Sequence, residues 1–543
     1  MTLKKNDDIR LEITTLTNQG SGLGRYNDEV VFVDAAVPGD TLDVHIIKVS
    51  KNYAIGKINK VIKPSKDRIV SDCDVSTRCG GCAYRHMKYE AELLEKKKYV
   101  GDVLQRIGGV DIQPEEILSI EKPEAYRNKA LIPVGLDEKG NVVTGFYSRK
   151  THRIIDCDNC KLQMEEFSPI IKAVKRYILE NPVTIYNEET HKGLIRHIYL
   201  RRGRNTGDIM VCLVVNGDNI PSKQKLIDLL TEADSNIKSI VLNVNREKTN
   251  VVLGTRIITL WGEDTIEDIL CGLRFRISPL SFYQVNPEGT ELLYKRAKDY
   301  AELKDGDILL DMYCGAGTIG LSMADKAKEI IGVEIIPEAI ENAKENASLN
   351  GIENTRFICA DASGAAKELL SEGIKPDVVV LDPPRKGCSK DVIDAVAGMN
   401  PQRIVYVSCD AASLSRDCAL FREVGYEVTK VTAVDMFPRT VHVETVVLLS
   451  QRRPDTHIDI KLDLSELNVT AAETKATYQE IKDYVLEKFG LKVSTLYISQ
   501  VKTKCGIIER ENYNKGKEGH RVPQCPKEKE DAIMDALRHF KMV

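Results

Sequence analysis

The 543-residue sequence contains no run of about 18 apolar side chains, the length a helix needs to cross a bilayer, so no membrane span is expected. The opening MTLKKNDDIR is charged and no apolar h-region follows it, so no secretory signal is read and a cytoplasmic setting is expected. An excess of positive charge is also missing. Lys and Arg number 77 against 81 Asp and Glu, a net charge of −4, which excludes a uniformly basic nucleic-acid wrapper and leaves local patches for any RNA or DNA contact. No internal repeat or low-complexity tract is visible. What is present in quantity is cysteine, 14 residues spread along the chain. In a reducing cytosol such thiols serve as core packing, as metal or cluster ligands, or as nucleophiles, and not as disulfides. With 42% hydrophobic residues at this length, roughly three or four globular domains are expected.

Between Leu11 and Val61 the alternating runs LEITTL, EVVFVDA, TLDVHIIKV and YAIGKINKVI are separated by turn chemistry at Asn18 to Gly24 and at Pro38-Gly39-Asp40. That is the pattern of a small OB-like β-barrel of about five strands, assigned to residues 1–63. Residues 64–280 read as a central mixed α/β domain. It holds closely spaced cysteines, a Lys-rich amphipathic helix over Tyr89 to Ile107, and the strand-like runs KALIPVGL, GDIMVCLVV, SIVLNVN and NVVLGT. Its densest basic cluster, Arg196, Arg201, Arg202 and Arg204, is either a solvated face or a grip on phosphates.

From 281 to 453 the strands DILLDMYCG, EIIGVEII, RFICAD, DVVVLD and RIVYVSC alternate with helical stretches, which predicts a parallel sheet wound on both faces. YEVTKVTAVDMF and VETVVLLSQ follow without a helix between them, so the sheet should close with an antiparallel pair. The tail, 454–543, reads as a small helical accessory domain. A strand at HIDIKLDL precedes a helix ended by Gly490 and a second opened by Ser494, a candidate helix-turn-helix with Lys502, Lys504, Lys515, Lys517 and Arg521 as a basic cluster.

Three constellations carry chemistry. Cys73, Cys79 and Cys82, with Gly80-Gly81 between the last two, place three soft ligands in one short segment whose glycines let the backbone fold tightly round an inorganic core. A fourth thiolate is needed; Cys157 and Cys160 are both available, spacing does not choose between them, and zinc would accept the same donors. Leu310 to Gly320 ends a strand and opens a helix through Gly315 and Gly317, and Glu334 ends the next strand, where a carboxylate can accept from ribose hydroxyls. The loop has neither a complete G-x-G-x-x-G nor a P-loop lysine. NAD and ATP therefore fit less well than S-adenosylmethionine, which has no phosphate. Asp361 is placed to reach an adenine, or is an ordinary strand-end carboxylate.

The third constellation is Asp382-Pro383-Pro384 followed by Arg385 and not by the aromatic of amine methyltransferases, which argues for a carbon target. A pyrimidine carbon 5 needs a thiolate at carbon 6 before it can accept a methyl group. Cys409 ends the strand RIVYVS, and the amides of the following helix are expected to lower its thiol pKa. A base must later remove the carbon-5 proton; Glu444 and Asp435 are candidates by position.

QGSGLGRYNDEVVFVDAAVPGD resembles the TRAM domain of RNA-modifying enzymes. The order C-x5-C-G-G-C, GFYSRKTHRIIDCDNC, D-M-Y-C-G-A-G, D-P-P-R-K-G, S-C-D and D-M-F-P-R-T-V-H-V-E resembles the cluster-bearing RNA uracil-5-methyltransferases, over roughly residues 9–450. The resemblance implies a class I Rossmann-like methyltransferase domain and a [4Fe-4S] cluster held by Cys73, Cys79, Cys82 and, in the register of His152-Arg153-Ile154, Cys160. Cys157 is then spare, and Lys161 stands where the family usually has proline. It further implies Cys409 as nucleophile and Glu444 as general base. SPLSFYQVNP places Phe282 near the base and Gln284 in the pocket, and the cofactor-binding candidates are Gln284, Tyr313, Thr318, Glu334, Asp361 and Asp382. The implied function is S-adenosylmethionine-dependent methylation of uridine carbon 5 in 23S ribosomal RNA by a monomer, because transfer-RNA members often lack both barrel and cysteines. The same reaction on transfer RNA is the alternative, with a catalytically inactive RNA-binding module less favoured. A radical methylthiotransferase would need C-x3-C-x2-C, which this chain lacks.

Overall fold

The computed structural model describes residues 3–149, 151–452, 476–505, 524–540 and 542–543, and divides into one unit up to Arg453 and a second formed by the tail. At the N-terminus, strands Asp8–Glu12, Thr15–Leu16, Gly22–Tyr26, Glu29–Val33, Thr41–Val49 and Tyr53–Lys63 form a six-stranded sheet around Leu11, Ile13, Val31, Leu42, Val44 and Ile46. The run LEITTL is two strands, because the Ile13 N–H turns away to the Asp40 carbonyl. The stretch read as a turn at Asn18 to Gly24 contains the start of a strand. Its glycines serve close approach: a Cβ on Gly24 would lie 2.4 Å from the Glu12 carbonyl oxygen and one on Gly22 2.7 Å from the Ala36 Cβ.

The central sheet has seven strands in the order Ile154–Asp156, Val142–Tyr147, Lys129–Leu136, Ile195–Arg202, Ile209–Val215, Ile237–Val244, Arg256–Gly262. Helices Phe167–Glu180 and Lys223–Ala233 cover one face through Ile170, Val174, Tyr177, Leu226 and Leu230. NVVLGT is not a strand. Asn245 donates its amide to the carbonyls of Val251 and Val252, and Asn243 exchanges two bonds with Gly254, so side chains satisfy the backbone that a sheet partner would otherwise take. The arginine cluster is mostly internal. Arg196 lies 4.3 Å over the Tyr186 ring and donates to the carbonyls of Asn245 and Glu247, Arg201 is buried, and Arg202 and Arg204 pair with Glu166 and Glu288. The buried guanidiniums of Arg196 and Arg201 hold the fold together and are not available to phosphates, whereas Arg204 is exposed.

The third sheet has eight strands in the order Thr355–Cys359, Glu329–Glu334, Ile308–Met312, Val378–Leu381, Arg403–Ser408, Glu444–Gln451, Tyr426–Asp435, Ile117–Ser119. The first five are mutually parallel, and the pair Tyr426–Asp435 and Glu444–Gln451 is antiparallel, as the alternation of strands and helices predicts. Two pieces come from far upstream: strand Ile117–Ser119 pairs with Tyr426–Asp435, and helix Tyr89–Gly108 inserts Val100 and Leu104 among Tyr406, Leu414 and Phe421. On the opposite face, helix Pro287–Ala301 packs Leu293 and Tyr294 against Val405 and Val446. Asn286 caps this helix by accepting from the Gly289 N–H, with Pro287 in its first turn.

In the tail unit, helices Tyr478–Phe489, Thr495–Lys504 and Lys527–His539 enclose Ile481, Val485, Ile498, Val501, Ile533 and Leu537. A Thr477/Glu480 capping box opens the first, Gly490 at φ 66° ends it, and Ser494 caps the second. Of the expected basic cluster, Lys502 is buried over the Tyr478 ring and Lys504 pairs with Glu530 at 3.0 Å. HIDIKLDL, Lys515, Lys517 and Arg521 lie outside the described residues. Among the described residues no helix is long and apolar enough to cross a membrane.

Candidate active site

The carboxyl ends of the five parallel strands open onto one cavity of about 930 Å³. This is the edge where doubly wound sheets place ligands, because the loops leaving successive strands converge there. Tyr313, Glu334, Asp361, Asp382 and Cys409 follow those strands in turn, and each lines the cavity.

In one half, Tyr313 and the glycines Gly315 and Gly317 all take the left-handed backbone, at φ 67°, 55° and 78°. The tight loop this makes lets the Gly315 N–H donate to Glu334 at 3.2 Å. The Glu334 carboxylate also accepts from the Ile335 and Ile336 amides at 2.8 and 3.0 Å, so it is held rigidly at the cavity wall with acceptor capacity left over. Beneath the loop, burial lifts the Asp311 carboxyl to about 7 while it accepts from the Gly320 N–H. Asp361 caps helix Ala362–Ser371 through the amides of Ser363 and Gly364. Thr318 is not among the lining residues; its hydroxyl bonds the Tyr294 hydroxyl at 2.7 Å and secures the loop from behind. Gln284 lines the cavity, and Phe282, 68% exposed, stands at its mouth.

The other half contains Cys409, Glu444, Phe437, His442, Arg127 and Arg385. Strands Arg403–Ser408 and Glu444–Gln451 are antiparallel and their ladder ends with Ser408 opposite Thr445, so Cys409, leaving one strand, and Glu444, opening the other, both reach the same cavity. Burial raises the Glu444 carboxyl to about 8, with Asp382 adding repulsion and Arg385 opposing it; burial also raises Asp382 to about 7. The Cys409 thiol is pushed up to about 11, first by burial and then by the charges of Glu444 and Asp382. This reverses the expectation of an activated thiol. The amides that open helix Ala411–Glu423 are taken by the Asp410 carboxylate, which accepts from Ala412 and Ser413 at 3.1 and 2.9 Å.

Asp435, the other positional candidate for a base, is outside the cavity lining. It accepts from Lys96 at 2.7 Å and from the Tyr89 hydroxyl at 2.9 Å. Lys96 also binds Glu92 at 2.8 Å and the Phe437 carbonyl at 3.2 Å, and Glu92 accepts from the Arg439 amide at 2.7 Å, so this buried cluster pins the loop that leads into Glu444. Nothing in the local spacing singles out Arg127 or this cluster.

The five cysteines Cys73, Cys79, Cys82, Cys157 and Cys160 line one mainly apolar pocket of about 60 Å³ with Arg85 and Arg127. Burial, and then the charge of Cys160, pushes both Cys82 and Cys157 up to about 12, and Cys160 also acts on Cys79. Cys73 in turn acts on Cys160, which is thus near each of the other four. The donor set suits a soft metal or cluster, although among the described residues no group of three or more His, Cys, Asp or Glu stands in metal-holding geometry.

Residues 88–452 match the tRNA (uracil-5-)-methyltransferase family and residues 3–58 match the TRAM domain. An uncharacterized RNA methyltransferase of Clostridium tetani is 48% identical over 448 residues, covering 82% of this chain and 97% of that protein. One of Halalkalibacterium halodurans is 43% identical over 450 residues, covering 82% and 98%. The crystal structure of Pyrococcus abyssi tRNA (uracil-54, C5)-methyltransferase in complex with S-adenosyl-L-homocysteine is similar at a TM-score of 0.67 and 27% identity, covering 81% of this chain and 100% of that one. The tail beyond 452 lies outside the family match. The chain belongs to the tRNA (uracil-5-)-methyltransferase family of RNA-methylating enzymes and carries a TRAM domain at its N-terminus.

Proposed function

We propose that this cavity methylates carbon 5 of a uridine in RNA from S-adenosylmethionine, through a transient bond between Cys409 and carbon 6. The observation that carries this reading is the convergence of Cys409, Glu444 and Asp382 on the cavity that also holds the glycine loop and Glu334. S-adenosylmethionine would supply the methyl group, held by Gln284, Tyr313, Glu334, Asp361 and Asp382, with Thr318 supporting the loop. The fixed Glu334 carboxylate suits ribose hydroxyls, and an acid-lined cavity suits a sulfonium cation.

The Cys409 thiolate adds to carbon 6, forming an S–C bond and moving the C5–C6 π pair toward carbon 5 and the 4-oxygen. Carbon 5 then takes the methyl group. Glu444 removes the carbon-5 proton, and the returning pair re-forms the double bond and expels the Cys409 sulfur. A stacked or paired uridine must swing out of its helix to reach a thiol at this depth.

The proposed substrate is 23S ribosomal RNA, supported by the joint presence of a TRAM domain and the five-cysteine pocket. Transfer RNA is the second reading, favoured by the archaeal neighbour, which is a transfer-RNA enzyme. Cys73, Cys79, Cys82 and Cys160 would hold a [4Fe-4S] cluster, with Cys157 left over and zinc as the competing occupant. Such a group would tie the Cys73–Cys82 segment to the loop behind Cys160, and no step above uses it.

The test is to incubate the full chain and S-adenosylmethionine with each RNA and measure 5-methyluridine by nucleoside mass spectrometry. Cys409→Ala should give none, and Glu444→Gln should accumulate a protein–RNA adduct stable on a denaturing gel. Product from Cys409→Ala removes the covalent route, and product in transfer RNA alone moves the substrate to the second reading.

A further inference from the structure

We propose that Arg127 binds an anionic oxygen of the target nucleotide inside the reaction cavity, an inference that rests on the uridine reading above. Arg127 forms part of the wall common to the reaction cavity and the cysteine pocket. Its backbone is fixed to the segment after Cys160: its N–H donates to the Leu162 carbonyl at 2.9 Å and its carbonyl accepts from the Met164 N–H at 3.3 Å. Its Nε donates to the Tyr126 hydroxyl at 3.3 Å, and that hydroxyl donates to the Pro438 carbonyl at 3.0 Å, in the loop that leads to His442 and Glu444.

The rest of the guanidinium is uncommitted. Among the described residues its two terminal nitrogens make no hydrogen bond and no carboxylate lies within 4.0 Å. Each buried arginine of this unit turns at least one terminal nitrogen to a partner: Arg85 to Asp72, Arg196 to backbone carbonyls, Arg201 to the Ser281 carbonyl and Arg439 to the Met87 carbonyl. A guanidinium stays charged and carries five N–H donors in a rigid fork, so one whose terminal donors face a ligand cavity is set to take a planar or anionic oxygen acceptor there. The substrate offers two such oxygens. One is the phosphate beside the flipped uridine; the other is the uracil oxygen on which charge develops when the thiolate adds. The anchoring behind Cys160 means that whatever orders the cysteine pocket also orders this donor.

The experiment uses the full chain, S-adenosylmethionine and ribosomal and transfer RNA transcribed with 5-fluorouridine, whose carbon 5 has no proton to lose after methylation, so the adduct persists. Adduct rate, RNA affinity across a salt series and S-adenosylhomocysteine affinity are measured for wild type, Arg127→Met and Cys409→Ala. S-adenosylhomocysteine affinity should be unchanged in Arg127→Met. A phosphate contact predicts about tenfold weaker RNA binding with the salt slope reduced by about 1. A contact to the uracil oxygen predicts unchanged RNA affinity and adduct formation slowed about 100-fold. Wild-type affinity and wild-type adduct rate together in Arg127→Met overturn the proposal. Should that variant lose S-adenosylhomocysteine binding, Arg127→Gln, which keeps a hydrogen-bonding head, is read by the same two criteria. Adduct from Cys409→Ala would instead overturn the covalent reading on which this one rests.

Discussion

Replacing Glu444 by Gln should make Cys409 a markedly stronger acid. The thiol titrates near 11 because it is buried and because Glu444 and Asp382 repel its anion, and Glu444, itself near 8, is fully ionised in the range where the thiol loses its proton. Ser408 and Thr445, next to them in the chain, face one another across an antiparallel ladder, where Cβ atoms are about 5 Å apart. Two charges roughly 6 Å apart at an effective dielectric of about 20 interact by about 3 kcal/mol, which is about two pH units. That is an upper limit, because burial is the larger cause of the rise from 9 to about 11, and the thiol of Glu444→Gln should titrate about one unit lower than that of wild type. The assay is pulse alkylation with iodoacetamide over the alkaline range, with the Cys409 peptide quantified by mass spectrometry. Cys271, pushed up to about 11 by desolvation and then by the charge of Glu291, serves as the control that should not move. An unchanged Cys409 midpoint in the variant would refute the reasoning, as would a wild-type midpoint already below neutrality. If the shift is found, the thiolate and the ionised base disfavour each other across the cavity.

Three further outcomes are expected. The Glu444 carboxyl is raised from 4.5 to about 8, so its contribution to stability is fully present below its unfolded pKa and is lost as pH rises through the folded one. Glu444→Gln should match wild type in denaturant melts in acid and gain a few kcal/mol above pH 8, at most about 5; equal stability at both pH values would contradict the shift. Lys96→Met leaves Asp435 buried without its cation and Glu92 with Arg439 alone, and should cost about 3–5 kcal/mol in urea unfolding, a loss under about 1 kcal/mol being incompatible with the paired geometry. In anaerobically reconstituted protein, Cys160→Ser should lose bound iron and its visible absorbance while Cys157→Ser retains both; the opposite pattern would make Cys157 the fourth ligand.

The eight-stranded sheet and the residues at its carboxyl edge were legible because a parallel sheet sends every strand end to one side. Asp311, Glu334, Asp382 and Cys409, each at the end of an apolar run, are brought to that edge by chain direction alone. Glu444 follows from the antiparallel closing pair, which brings it to the same cavity as Cys409. What spacing does not reveal is who uses a polar group first. The helix amides beside Cys409 are consumed by Asp410, and the Arg196 guanidinium by carbonyls about fifty residues downstream. NVVLGT has strand composition, yet Asn243 and Asn245 satisfy its backbone. Arg127 belongs to no motif; only the adjacency of two pockets marks it.

Helix Tyr89–Gly108 and strand Ile117–Ser119 complete a sheet whose last strand ends at Gln451. They leave the ribosome more than three hundred residues before their partner does, an interval of about 15–70 s at typical synthesis rates. Val100 and Leu104, fully buried in the finished protein, have no core to enter for that time. A chain begun at 281 would lack both pieces, leaving Tyr406, Leu414 and Phe421 without the side chains that cover them in the full protein.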